Sequence, residues 1–185
     1  MFKYVGDISK IAQSIIISYS ASFNTAVDAT LGNGYDTDFL SRNFKKVYSF
    51  DIQESAIKNY ESKKKDNTVL IVDSHENFKT YINEKVDCIM YNLGFLPGSD
   101  KHITTTVEST VKSIKEGLEL LNLGGLMTIA IYIGHEEGKR EKDAIMNLLT
   151  NLSKKQYGVM LHSFLNRNSS APLLAVIEKN SETLD

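Results

Sequence analysis

The stretch Val27-Asp28-Ala29-Thr30-Leu31-Gly32-Asn33-Gly34-Tyr35-Asp36-Thr37 decides how this chain is read. It leaves a β-rich run over residues 25–29, turns through two glycines and enters a helical pattern. Glycines there let backbone approach a ligand closely, and the next helix offers the free N–H groups of its first turn. A glycine pair alone is a weak signal, and a plain Gly-rich turn reads the same way. A dinucleotide-binding G-x-G-x-x-G requires Gly or Ala where Thr37 stands, which counts against a dehydrogenase. Asp28, just before the turn, points instead to a ligand with a cationic amino-acid end, held directly or through water.

Working outward, further β-rich runs are predicted at 47–50, 68–72, 86–91, 126–133, 158–165 and 172–178. Helical patterns fill most of the gaps. The clearest is Ile103, Val107, Val111, Ile114, Leu118 and Leu121, with Gly124-Gly125 as its expected C-terminal stop. Another covers Ala144, Ile145, Leu148, Leu149 and Leu152. Before the first strand, Ile8, Ile11, Ala12, Ile15, Ile16 and Tyr19 recur at helical spacing, capped by Asp7 or Ser9. Alternation of strand and helix implies a mostly parallel sheet with helices on both faces. Only residues 166–171 join the last two runs, so these should pair as an antiparallel hairpin. The expectation is an α/β, Rossmann-like fold with seven strands in one domain over 1–185, residues 1–22 forming a helical segment packed on it.

Composition narrows the classes. The 185 residues are 42% hydrophobic and 24% charged, with a formal net charge of −2. That suits an ordinary globular domain and provides no global basic field for nucleic acid. The single cysteine, Cys88, allows no internal disulfide, and no Cys/His metal spacing occurs. The opening MFKYVGDISK lacks a signal-peptide pattern, and Ile15-Ile16-Ile17 is too short to span a bilayer. A cytoplasmic protein with no membrane or metal partner is expected.

In an open α/β sheet, ligands sit beyond the carboxyl ends of the strands. The second strand ends in Asp51, followed by Ile52 and Gln53. Asp51 stands 17 positions after Gly34, placed to accept from both hydroxyls of a ribose, although Asp also caps helices. The third strand ends Val72-Asp73-Ser74-His75, where Asp73 accepts from an adenine amino group or caps a helix. The fourth leads into Asn92-Leu93-Gly94-Phe95-Leu96-Pro97-Gly98-Ser99-Asp100-Lys101. A polar residue at the strand end, then an aromatic in a Gly/Pro loop, resembles the (Asn/Asp)-Pro-Pro-(aromatic) loop of amino-group methyltransferases. Leu93 and Gly94 replace the two prolines. After the fifth strand comes Gly134-His135-Glu136-Glu137-Gly138-Lys139-Arg140. His135 reads as a base or substrate contact, while the glutamates also suit a helix first turn. Lys63-Lys64-Lys65 should end the helix after the second strand, on the opposite edge, and is discounted as an RNA site. Lys101, His102, Lys139, Arg140 and Arg167 are the better phosphate contacts.

The segments VDATLGNGYDT, FDIQ, DSH, NLGFLPGSDKHITT, GHEEGKREKDAI and FLNRNSSAPLLAVIEK together resemble the "putative rRNA methylase" family of small class I methyltransferases. The resemblance covers nearly the whole chain. It implies S-adenosylmethionine as cofactor, bound around Asp28, Thr30, Gly32, Asn33, Gly34, Asp36, Thr37, Asp51, Gln53, Asp73, Ser74, His75 and Asn92. It also implies a homodimer that acts on the tRNA anticodon loop, converting wobble 5-aminomethyl-2-thiouridine to its 5-methylaminomethyl form. On that reading Asn92 orients the amine and Phe95 stacks on a base. Asp100 and His135 are candidates for proton acceptance. With Cys88 expected in the core, a cysteine nucleophile is unavailable, which favours direct transfer to nitrogen or oxygen. The rivals are an rRNA or small-molecule methyltransferase and a non-catalytic cofactor-binding module.

Overall fold

A computed structural model describes residues 2, 4–93, 106–134 and 136–180. Its seven strands are β1 (Thr25–Asp28), β2 (Lys46–Asp51), β3 (Thr68–Val72), β4 (Val86–Asn92), β5 (Leu121–Ile131), β6 (Tyr157–His162) and β7 (Leu173–Lys179). They form one sheet in the order β3-β2-β1-β4-β5-β7-β6. The first five are parallel, while β7 runs antiparallel to both β5 and β6. Among the described residues the six α-helices are α1 (Ile8–Tyr19), α2 (Tyr35–Asn43), α3 (Glu54–Glu61), α4 (Phe78–Tyr81), α5 (Val107–Leu120) and α6 (Glu136–Thr150).

Period-two alternation along the strands sorts side chains into two layers. Ala26, Val47, Cys88 and Met90 pack with Ile11, Ala12 and Ile16 of α1 and Leu40 of α2. Their chain neighbours Val27, Tyr48, Ile89 and Tyr91 pack with Ile114 and Leu118 of α5 and Ile145 and Leu149 of α6. Each fully buried aliphatic or aromatic side chain contributes roughly 1.5–3 kcal/mol over exposure. Coverage on both faces is why β1 and nearly all of β4 are buried. Edge strand β6 differs, with four consecutive exposed residues from Gly158 to Leu161.

Several sequence expectations meet adjustments. Asp7 caps α1, its carboxylate accepting from the Ser9 N–H at 2.9 Å. Tyr19 points to solvent instead of joining the apolar stripe. Gly124-Gly125 does not stop α5. The helix ends at Leu120 because Leu121 already pairs with Val86 in the sheet. The register then shifts, so that Cys88 faces Leu126, and Gly124 at φ 72° sits in this irregularity. A left-handed glycine serves a helix end or a bulge equally well, and here it serves the bulge. Ile103 lies outside the described residues.

Candidate functional site at the carboxyl edge of the sheet

The strand order reverses direction between β1 and β4, the switch point where open α/β sheets bind ligands. Gly32 and Gly34 follow β1 with φ of 49° and 82°. A side chain at Gly34 is excluded twice: by that φ, and because a Cβ would stand 2.2 Å from the Tyr60 ring. Tyr60 is fixed there by donating to Asp38 at 2.6 Å. The turn thus delivers the first turn of α2 to the mouth of the site.

Asp28 is fully buried, with both carboxylate oxygens engaged inside the protein. Oδ1 accepts from Thr30 N–H at 3.0 Å, and Oδ2 accepts from the Thr37 hydroxyl at 2.6 Å. Thr37 also shares a 2.8 Å bond with the Ser49 hydroxyl of β2. Burial, reinforced by the nearby Asp36 charge, pushes the Asp28 carboxyl up to about 7. Direct contact between Asp28 and a cationic ligand, an expectation from sequence, meets this enclosure: the carboxylate clamps the turn from beneath. Thr37, which argued against a dinucleotide fold, is the anchor that locks it.

Asp51 closes the turn from the β2 side. Its oxygens accept from the Gly32 N–H at 2.9 Å and the Gln53 N–H at 2.8 Å. Burial raises its pKa while these bonds oppose the shift. Each oxygen retains further acceptor capacity, and Asp51 is half-buried. At the end of β3, Asp73 accepts from the Ser74 N–H, Asn77 and Tyr81, and Ser74 caps the short turn His75–Asn77. The cap is thus Ser74 and not Asp73, whose acceptor capacity is largely taken by one backbone N–H and the Asn77 and Tyr81 side chains. His75 is buried and pushed down to about 4 by desolvation, so its imidazole is neutral at physiological pH.

Asn92 ends β4. Its backbone N–H donates to the Thr30 hydroxyl at 2.8 Å, which joins the ends of β1 and β4 across the switch point. Its side-chain Nδ2 donates to Asp36 Oδ2 at 3.3 Å, and Gln13 of α1 donates to Asp36 Oδ1 at 3.1 Å. Burial raises the Asp36 carboxyl, and these two amides oppose the shift. Gln13 was missed in the sequence, where a polar residue beside Ser14 in an isoleucine-rich helix carries no sign of its partner 23 positions away.

The cations expected to meet phosphate are placed as follows. Lys139 and Arg140 stand exposed on the first turns of α6, paired with Glu136 at 2.9 Å and Glu137 at 3.8 Å. Arg167, in the β6–β7 connection, donates to the carbonyls of Val5 and Gly6 and stacks its guanidinium 3.7 Å from the Phe164 ring centre. It ties the segment before α1 to the hairpin. Phe95, Asp100, Lys101, His102 and His135 lie outside the described residues. Lys63-Lys64-Lys65 follows α3 at the opposite edge, as expected. Among the described residues no group of three or more His, Cys, Asp or Glu could hold a metal ion, and no helix is long and apolar enough to cross a membrane.

A sheet of this order with β7 reversed, and a glycine turn beside an acidic β2 end, define the S-adenosylmethionine-dependent class I methyltransferases. Residues 47–178 match the family model described as "Putative rRNA methylase", and the chain belongs to that family. A "putative rRNA-methylase" from Clostridium thermocellum superposes with a TM-score of 0.90 at 35% identity, covering 95% of this chain and 98% of that one. A "putative methyltransferase" from Streptococcus mutans, in complex with S-adenosylhomocysteine, gives 0.86 at 35% identity over 95% and 99% of the two chains. An Arabidopsis thaliana protein named tRNA (mnm(5)s(2)U34)-methyltransferase, chloroplastic, is 30% identical over an alignment of 174 positions that covers 84% of this chain. The chain spans 63% of that relative's length.

Proposed function

We propose that the chain is a tRNA N-methyltransferase that converts wobble 5-aminomethyl-2-thiouridine to 5-methylaminomethyl-2-thiouridine. The observation that carries the chemistry is Asn92 at the switch point: its backbone is tied to Thr30 and its NH2 is turned to Asp36, which leaves Oδ1 to accept. The tRNA substrate is supported by the name of the Arabidopsis relative.

The residues fit S-adenosylmethionine. Asp51 keeps acceptor capacity for a ribose diol, with Gln53 beside it. The Gly32-Asn33-Gly34 turn and the α2 N-terminus offer backbone donors to the amino-acid end. Asp73, Ser74 and His75 border the adenine position. Asp28, Thr30 and Thr37 hold the turn in shape. When bound, the cofactor supplies an electrophilic methyl on a cationic sulfonium. An ammonium has no lone pair, so the substrate amine reacts in its neutral form. Asn92 Oδ1 accepts from an amine N–H and points the lone pair, and positioning of this kind is worth ~7–11 kcal/mol in effective molarity. Phe95 stacks on a base, while Asp100 and His135 stand for proton acceptance. Lys101, His102, Lys139, Arg140 and Arg167 meet phosphates of the anticodon loop. We read residues 1–185 as one domain from length and as cytoplasmic from composition and the single cysteine, and as a homodimer on the strength of the family resemblance.

The test incubates the protein and S-adenosylmethionine with tRNA from cells lacking the enzyme, followed by nucleoside mass spectrometry. Loss of 5-aminomethyl-2-thiouridine with gain of its methylated form is expected. No change, with S-adenosylhomocysteine binding intact, would sink the tRNA assignment and turn attention to rRNA and small amines.

A further inference from the structure

We propose that Gln13 and Asp36 are positioning residues that determine which end of the Asn92 amide faces the substrate. This rests on the reading above, in which Asn92 orients the acceptor amine. An asparagine amide has a donor end and an acceptor end of nearly equal shape, so packing alone selects poorly between them. A carboxylate is acceptor-only and does select. Asp36 is almost fully buried on the first turn of α2, and it receives Asn92 Nδ2 on one oxygen and Gln13 Nε2 on the other. The NH2 of Asn92 must therefore face Asp36, and Oδ1 must face away. The opposite orientation would set an amide oxygen against a carboxylate oxygen and direct NH2 at an amine that needs an acceptor.

Gln13 contributes in two ways. Its donor compensates a carboxylate that burial would otherwise drive towards protonation, at which point Asp36 would itself become a donor and lose its selectivity. It also fixes the Asp36 rotamer from α1, a helix anchored by Ile11, Ala12 and Ile16 in the core. Three elements, α1, α2 and β4, thus converge on one amide.

The experiment has two arms. In the first, the side-chain NH2 signals of Asn92 are followed by 15N NMR in the cofactor-free protein and assigned by their loss in Asn92→Asp. Asp36→Asn and Gln13→Ala are expected to shift them, Asp36→Asn more. Unmoved signals overturn the clamp whatever the substrate proves to be. In the second, kcat of Asp36→Asn at saturating S-adenosylmethionine is expected to fall on the order of 10–100-fold. Exchanging the groups, in Asp36→Asn with Asn92→Asp, again sets a donor against an acceptor and leaves an acceptor facing the amine. This double variant should recover activity over Asp36→Asn alone, which a purely structural role for Asp36 would not produce. Full activity in Asp36→Asn, or no recovery in the exchange, overturns the inference. Full activity in Asn92→Ala would instead remove the amine-orienting role on which it rests.

Discussion

Two aspartates at opposite ends of neighbouring strands show how this sheet divides its labour. Asp87, near the start of β4, and Asp28, at the end of β1, are both buried. Burial opposes charge on Asp87, but its carboxylate receives the N–H groups of Asn24 at 2.7 Å and Thr25 at 3.2 Å and the Asn122 amide at 2.6 Å. With Ser22 also contributing, these bonds outweigh burial and hold it below the usual carboxylate range. Asp28 has two donors among the described residues, with Asp36 and Asp51 nearby, and is pushed up. The amino edge satisfies its acid from within the chain. The carboxyl edge gathers acceptors in excess of donors, an imbalance suited to a cationic ligand. Donor count and neighbouring charge set the ionisation of a buried acid: many donors hold Asp87 charged, while two donors beside two carboxylates push Asp28 towards protonation.

Asp87→Ala probes this contrast with the largest effect. It strands the Asn24 and Thr25 N–H groups and should lower unfolding free energy by about 3 kcal/mol in urea titration. A loss under ~1 kcal/mol would erase the contrast. Asp28→Asn should move the other way. The amide can accept from Thr30 and donate to Thr37, whose hydroxyl then donates to Ser49. Because the native pKa of Asp28 lies above the unfolded value of 3.8, the native state holds the extra proton between about pH 4 and 7. Stability from this group is therefore lost as pH rises through that window. The variant should be more stable than the parent by more than ~1 kcal/mol at pH 8, and equal to it near pH 4, in thermal melts. A gain that persists at pH 4 would mean the charge is not its source. The Asp87 contribution has the opposite sign, present at neutral pH and lost as pH falls below the ordinary carboxylate range. The smallest effect is at Lys46, whose 2.7 Å pair with Glu84 is exposed at the same amino edge. Lys46→Ala should cost under ~1 kcal/mol, and less at high salt.

Much of the carboxyl edge was legible in the sequence because strand ends fix where polar residues emerge. Asp28, Asp51, Asp73 and Asn92 follow from period and spacing alone. What those residues touch was not legible. The enclosure of Asp28 depends on Thr37 and Ser49, and Arg167 meets backbone carbonyls far away in the chain. Gln13 and Asp36 meet only after α1 has packed on the sheet, and no local pattern encodes a tertiary meeting. Gly124 shows the converse problem, since one backbone conformation fits two local structures and only strand pairing chooses between them.

Cys88 lies in the middle of this arrangement, on β4 between β1 and β5, fully buried and with its thiol pKa raised by that burial. As the chain's single cysteine, it makes thiol chemistry a stopwatch for the whole molecule. A disulfide reagent reaches it only when the central strands part, so its labelling rate reports global opening, uncontaminated by any surface sulfhydryl.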